Sequence, residues 1–152
     1  MKKILSLILS IIICIGAASC SGTAKEIDIT ALAQELISAQ IFDEDLTEVK
    51  SSVTVKRLGL PEENIEECVA YAGTKAVVDE IVLIKAKEGT YGDVQAALNK
   101  HVETQIASYS SYRPEEVPKL EDAVSVSFGN YVMLIVANDA EKADEIIQQF
   151  TN

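Results

Sequence analysis

Residues 123–137 read AVSVSFGNYVMLIVA, and this stretch carries the clearest pattern of secondary structure in the chain. From Val124 to Phe128, apolar residues alternate with serine, which is the pattern of a strand with one buried face. Gly129-Asn130 is typical of a two-residue hairpin turn, and Tyr131 to Ala137 returns as an apolar strand. The stretch therefore predicts an antiparallel hairpin.

A second hairpin is predicted upstream. Its strands are Glu67 to Ala72 and Ala76 to Lys87, and Gly73-Thr74-Lys75 joins them. The second strand is apolar on both faces near its middle, which indicates a central position in a sheet.

Three segments carry apolar residues at helical spacing, each after residues suited to capping a helix. The first runs from about Ile29 to Phe42, after Asp28. The second begins at Thr90, which forms a capping-box pattern with Asp93, and ends at about Ser111. The third runs from Asn138 or Asp139 towards the C-terminus. Between the first helix and the first hairpin, residues 43–55 suggest a ragged helix followed by a short strand.

These elements predict one α+β domain over residues 28–152, in the order α-ββ-α-ββ-α. Two hairpins imply a single-layer antiparallel sheet of about four strands. Two amphipathic helices are expected to cover one face of that sheet.

The N-terminus has the layout of a signal peptide over residues 1–19. Lys2 and Lys3 precede an apolar run from Ile4 to Ile15 that is shorter than the roughly 20 residues of a membrane span. Ala17-Ala18-Ser19-Cys20 resembles the lipobox of bacterial lipoproteins, which implies cleavage between Ser19 and Cys20 and lipid attachment at Cys20. Residues 20–27 would form the lipidated N-terminus and a tether. An ordinary signal peptide cut near Ser19 is the alternative.

The expected location is the extracytoplasmic face of the cell membrane, because a two-chain lipid anchor holds a protein there without a transmembrane helix. After cleavage, Cys68 is the sole free thiol, so no intrachain disulfide is expected. The net charge of −11 disfavours nucleic acid as a partner, since phosphate backbones repel an acidic domain.

Cys68 and His101 suggest a thiol nucleophile and its base. The competing interpretation is a small core thiol and a histidine at the edge of the core, which is the commoner fate of free cysteine. We therefore assign no catalytic residue. One histidine and one free thiol are too few for a zinc site, and no glycine-rich phosphate loop indicates a nucleotide cofactor.

An acidic cluster comprises Glu62, Glu63, Glu66 and Glu67, with Asp79 and Glu80 expected nearby across the hairpin. Such carboxylates could hold calcium. The spacing lacks the pattern of a dedicated calcium loop, so a solvated acidic face is the preferred interpretation and no metal site is assigned.

The most unusual cluster is Tyr109, Tyr112 and Arg113, at the end of the long helix. Tyrosine and arginine are enriched in binding surfaces, which makes this the candidate interaction surface. The alternative is a helix end whose tyrosines pack on the sheet and whose arginine pairs with Glu115 or Glu116.

Several stretches resemble small clostridial-type lipoproteins that share the domain of unknown function 4358. They are Asp79 to Lys85, Tyr112-Arg113-Pro114-Glu115, Gly129-Asn130-Tyr131-Val132 and Asn138-Asp139-Ala140. The resemblance implies an anchored extracytoplasmic domain and supplies no reaction, ligand or catalytic residue.

Together these observations predict a non-catalytic lipoprotein domain that binds or scaffolds in the cell envelope, without a cofactor. Its partners would be the membrane, through the anchor, and an envelope protein or a small ligand. A small thiol hydrolase using Cys68 and His101, and a solute-binding accessory lipoprotein of an importer, are the alternatives.

Overall fold

A computed structural model of the chain describes residues 25–152. The signal peptide expected over residues 1–19, with its cleavage residue Ser19, and the lipid-attachment residue Cys20 lie outside the described residues. Within the described residues, five α-helices and five strands follow one another: α1 (Ile29–Ser38), β1 (Thr47–Glu48), α2 (Ser51–Leu58), β2 (Ile65–Ala72), β3 (Glu80–Ala86), α3 (Tyr91–Tyr112), α4 (Val117–Glu121), β4 (Val124–Phe128), β5 (Tyr131–Val136) and α5 (Ala140–Thr151).

The five strands form one antiparallel sheet in the spatial order β1-β2-β3-β5-β4. Both predicted hairpins are confirmed, as β2–β3 and β4–β5. In the second hairpin Phe128 pairs with Tyr131, and Gly129 adopts the positive φ of 59° that the tight turn requires. The hairpins join through β3 and β5, which are therefore the central strands.

The expectation of about four strands was wrong, because β1 adds a fifth by pairing Thr47 with Ala72. The predicted order of helix then strand over residues 43–55 is reversed, since α2 follows β1. A two-residue strand has no periodicity to detect, and tertiary packing overrides the strand preference of the valines in α2. Thr54 and Val55 are buried there, and α2 packs on β2.

Helices cover both faces of the sheet, not one as expected. One core combines α1 and α5 with alternate residues of the central strands, such as Ile81 and Met133. The other combines α3 and α4 with the intervening residues, such as Val82 and Leu134. Because β3 and β5 are apolar on both faces, each face needs a covering layer.

Two of the three predicted helix caps are confirmed. Asp28 accepts a hydrogen bond from the Ala31 amide, and Asp139 accepts one from the Lys142 amide. The capping box at Thr90 was wrong, because its hydroxyl donates to the carbonyls of Asn64 and Lys87 instead. No helix within residues 25–152 has the length and apolarity to cross a membrane.

Candidate functional site

An open groove with a volume of about 460 Å³ lies at the end of the sheet where β2 leads into β3. This size is within the range of roughly 300–1,000 Å³ that ligand pockets occupy. We call it the tyrosine groove. Three parts of the chain line it: Arg57 of α2, the connection from Ala72 to Glu80, and the last turns of α3 with Gln105, Ser108, Tyr109 and Tyr112.

Tyr109 and Tyr112 form one wall of the groove, as a pair of rings in edge-to-face contact with centroids 5.9 Å apart. The Tyr109 hydroxyl donates to the carbonyls of Lys75 (3.1 Å) and Val77 (3.2 Å), which fixes its ring against the β2–β3 connection. Tyr112 is 67% exposed. Of the three residues proposed as an interaction surface, Arg113 is placed elsewhere. It donates to Glu115 at 2.8 Å and does not line the groove.

Glu80, at the start of β3, lies at the base of the groove with a side chain only 3% exposed. Its Oε2 accepts from Arg57 Nη2 at 3.2 Å, and its Oε1 lies 2.7 Å from His101 Nε2. A buried carboxylate is costly unless it is paired, and here both oxygens have partners. This triad was not predicted from the sequence, because its members come from α2, β3 and α3 and share no local motif.

Asp79, the neighbour of Glu80, is buried in a second cluster of charges that we call the Lys119 cluster. Lys119 Nζ donates to Asp79 Oδ1 at 2.9 Å and to Asp43 Oδ2 at 2.6 Å, and it lies 2.8 Å from Glu116 Oε2. Asp79 also accepts from the Asp43 amide, and Glu116 accepts from the Val78 amide. The cluster therefore ties the α1–β1 connection and the β2–β3 connection to α4.

The three carboxylates of this cluster have oxygens within 4.8 Å of one another, a spacing that could hold a metal ion. The ammonium of Lys119 already contacts all three, so a metal would have to displace it. Burial alone lowers the pKa of Lys119, but hydrogen bonds to Asp43, Glu116 and Asp79 outweigh it and raise that pKa above its ordinary value. The arrangement is that of a buried ion-pair network.

Asp79 and Glu80 were expected on the solvated acidic face, and that placement was wrong. Glu62, Glu63, Glu66 and Glu67 are exposed, but they lie at the other end of the hairpin. Glu67 pairs with Lys85, whereas Ala72 pairs with Glu80. Glu80 and Lys85 are five positions apart along β3, so the two groups of carboxylates lie at opposite ends of the hairpin.

Cys68 and His101 lie in different surroundings. Cys68 lines a depression with Ser51 and Glu67, while His101 lines another with Arg57. No hydrogen bond joins the two side chains, both of which are among the described residues, and His101 is held by Glu80. Burial raises the pKa of the Cys68 thiol, although Ser51 and Arg57 act in the opposite direction.

The chain reaches the domain at the end of β3 opposite the groove. Glu26 pairs with Lys85 at 3.1 Å, and the Ile27 amide donates to the Tyr131 hydroxyl at 3.1 Å. Ile27, which stood in the expected tether, is buried in the core. The segment that leads back towards Cys20 is thus held at the Lys85 end, and the groove opens near Glu80.

Comparisons with known proteins yield one match. A family model described as "Domain of unknown function (DUF4358)" matches residues 39–137, which include the tyrosine groove and the Lys119 cluster. No curated protein and no solved structure matches the chain. Since the match covers more than half of the sequence, the chain belongs to the family defined by domain of unknown function 4358.

Proposed function

We propose that this protein is a lipid-anchored extracytoplasmic domain that binds a partner in the cell envelope through the tyrosine groove. One observation carries this proposal. The groove lies at the end of β3 opposite the point where the chain leads back to Cys20.

The dimensions are consistent with such an arrangement. Glu80 and Lys85 are five positions apart in β3, which corresponds to about 17 Å. The six residues after Cys20 reach at most about 20 Å, so the Lys85 end would stay close to the bilayer. The groove would then be open to a partner in the envelope.

Binding is favoured over catalysis by the residues of the groove. Tyr112 and Arg57 are of the types enriched at binding surfaces, and both are accessible. The thiol hydrolase alternative gains no support, because Glu80 holds His101 and burial raises the pKa of Cys68. The importer alternative is not favoured either, since the described residues form one sheet and not two lobes.

Mass spectrometry of the membrane-extracted protein tests the anchor. We expect an N-terminal peptide that begins at lipid-modified Cys20, and its loss in the Cys20→Ser variant. An unmodified protein that retains Met1 would contradict the anchored location.

Photo-crosslinking in intact cells tests the groove. A photoreactive phenylalanine analogue replaces Tyr112 in one strain and Tyr91 in another. Tyr91 is the matched control, because it is 52% exposed at the opposite end of the same helix. We expect a discrete adduct from position 112 that is absent from position 91. Equal adducts from both positions, or none from position 112, would contradict a binding role for the groove.

A further inference from the structure

We propose that the partner segment bound in the tyrosine groove is an acidic peptide. This inference rests on the proposed function and names the ligand class. A carboxylate of the peptide would contact Arg57 and Lys75, and an adjacent apolar side chain would pack on Tyr109 and Tyr112.

The charges that the groove exposes are positive, although the whole chain has a net charge of −11. Arg57 is 37% exposed and Lys75 is exposed. The carboxylates of Glu80 and Asp79 have side chains 3% and 0% exposed, and each forms an ion pair, Glu80 with Arg57 and Asp79 with Lys119. A groove lined by one sign of exposed charge attracts the opposite sign.

Glu44 contacts the β2–β3 connection that lines the groove, and its carboxylate is already engaged. It accepts hydrogen bonds from the amide and the hydroxyl of Thr74 in the β2–β3 connection. It is therefore directed into the turn, whereas the ion pair of Arg57 is made with Glu80.

Arg57 is held in place by the protein. Glu80 binds one nitrogen of its guanidinium, and His101 holds the other oxygen of Glu80. A guanidinium has five N–H donors, so most remain free for a bidentate contact with a carboxylate. Glu80 thus acts as a positioning residue for Arg57.

The tyrosines position the second cation and supply the apolar contact. The hydrogen bond from Tyr109 to the Lys75 carbonyl fixes the backbone that carries Lys75. Tyr112 leaves most of its ring area open beside Tyr109. An aromatic or aliphatic side chain next to the carboxylate would pack there. An anionic lipid fits less well, because the chain leads to the bilayer from the opposite end of β3.

Calorimetric titration of the full-length chain in nonionic detergent tests the ligand class. The probe is a capped hexapeptide of alternating glutamate and phenylalanine, at low ionic strength. Two matched peptides replace every glutamate by glutamine, or every phenylalanine by alanine. We expect each replacement to weaken binding at least about tenfold, and added salt to weaken the binding of the glutamate peptide.

Single substitutions test whether the probe peptide binds in the tyrosine groove. Arg57→Met and Tyr112→Ala should each weaken the probe about tenfold, whereas the controls Lys56→Met and Tyr91→Ala should leave it unchanged. Glu80→Gln should reduce the preference for glutamate over glutamine and keep the preference for phenylalanine over alanine. A general loss of structure would abolish both preferences together.

Several results would overturn the inference. The ligand class is wrong if the glutamate peptide does not bind, or if the glutamine peptide or free glutamate binds with equal affinity. The location is wrong if Arg57→Met binds the glutamate peptide as tightly as the unsubstituted protein does. Competition by anionic vesicles would indicate a lipid ligand instead. The proposed function fails separately. If Tyr112 crosslinks to a partner segment without acidic residues, the groove remains a binding site and only the ligand class is wrong.

Discussion

Lys119 and Asp79 form a buried ion pair, with the lysine Nζ 2.9 Å from Asp79 Oδ1. The two residues are 40 positions apart, and no sequence pattern links them. Because the same ammonium contacts Asp43 and Glu116, this one side chain joins three segments around the β2–β3 connection. The Lys119 cluster therefore supports the connection that lines the tyrosine groove.

Removing the Lys119 ammonium should destabilise the fold strongly. Lys119→Met leaves three carboxylates without their shared cation, and breaking a buried pair costs about 3–5 kcal/mol. Urea unfolding measures this loss in the free energy of unfolding. Lys142→Met is the control, because Lys142 pairs with Glu145 at the surface and should have little effect. Equal losses in the two variants would contradict the importance of the cluster.

Lys119→Ala should also make the thermal stability of the protein depend on calcium. The variant retains carboxylate oxygens within 4.8 Å of one another and opens the space that the ammonium fills. We expect calcium to raise the Tm of Lys119→Ala, and a chelator to reverse the rise. The unsubstituted protein serves as the control and should show no comparable shift. A similar increase in both would mean that calcium acts elsewhere.

Stability should decrease in acid through Asp43. Hydrogen bonds from Lys119 and Asn138 hold the pKa of Asp43 below its ordinary value of 3.8. A carboxyl group with a lower pKa in the folded chain stabilises it above the unfolded pKa, and this contribution is lost as pH falls through the folded pKa. Below pH 3.8 we expect the Tm to fall less steeply in Asp43→Asn than in the unsubstituted protein. Parallel curves would exclude a contribution from Asp43.

Two glycines should respond in opposite directions to alanine. A Cβ on Gly73 would lie 2.6 Å from Glu44 Oε1 and 2.7 Å from Val77 Cγ2, so Gly73→Ala should destabilise by about 1–3 kcal/mol. A Cβ on Gly92 meets nothing within 4 Å, and this residue lies in α3. Gly92→Ala should therefore stabilise by up to about 1 kcal/mol. Thermal unfolding distinguishes the two signs, and stabilisation by Gly73→Ala would contradict the close contact.

Cys68 should react slowly with alkylating reagents. Burial raises the pKa of its thiol, and the thiolate is the reactive form. We expect iodoacetamide to modify Cys68 in the folded protein at pH 7.5 far more slowly than after denaturation in urea, as followed by mass spectrometry of the peptide that contains it. Modification as fast as that of an exposed thiol would support the thiol hydrolase alternative.

Much of the architecture could be predicted from local patterns. The alternation from Val124 to Phe128 and the turn at Gly129-Asn130 predicted the β4–β5 hairpin. Asp28 and Asp139 predicted the starts of the first and last helices, because a capping side chain accepts hydrogen bonds from amides of the first helical turn. Membership of the family defined by domain of unknown function 4358 was likewise predicted from the sequence, and the family match over residues 39–137 confirms that membership.

The two-residue strand β1 and the coverage of both faces could not be predicted in this way. A strand of that length is stabilised by its partner β2 and has no pattern of its own. Helices were expected on one face only, although β3 and β5 are apolar on both faces. Which helix covers which face depends on packing across the whole chain.

Local sequence patterns were thus sufficient to predict the hairpins, the main helices and the tyrosines of the candidate surface, because these depend on neighbours within a few residues. The burial of Asp79 and Glu80, and the placement of Arg57 in the groove and Arg113 outside it, follow instead from long-range packing. A carboxylate can be buried only where charged or hydrogen-bonding partners meet it. Here those partners come from residues 21 to 40 positions away, which the fold alone brings together.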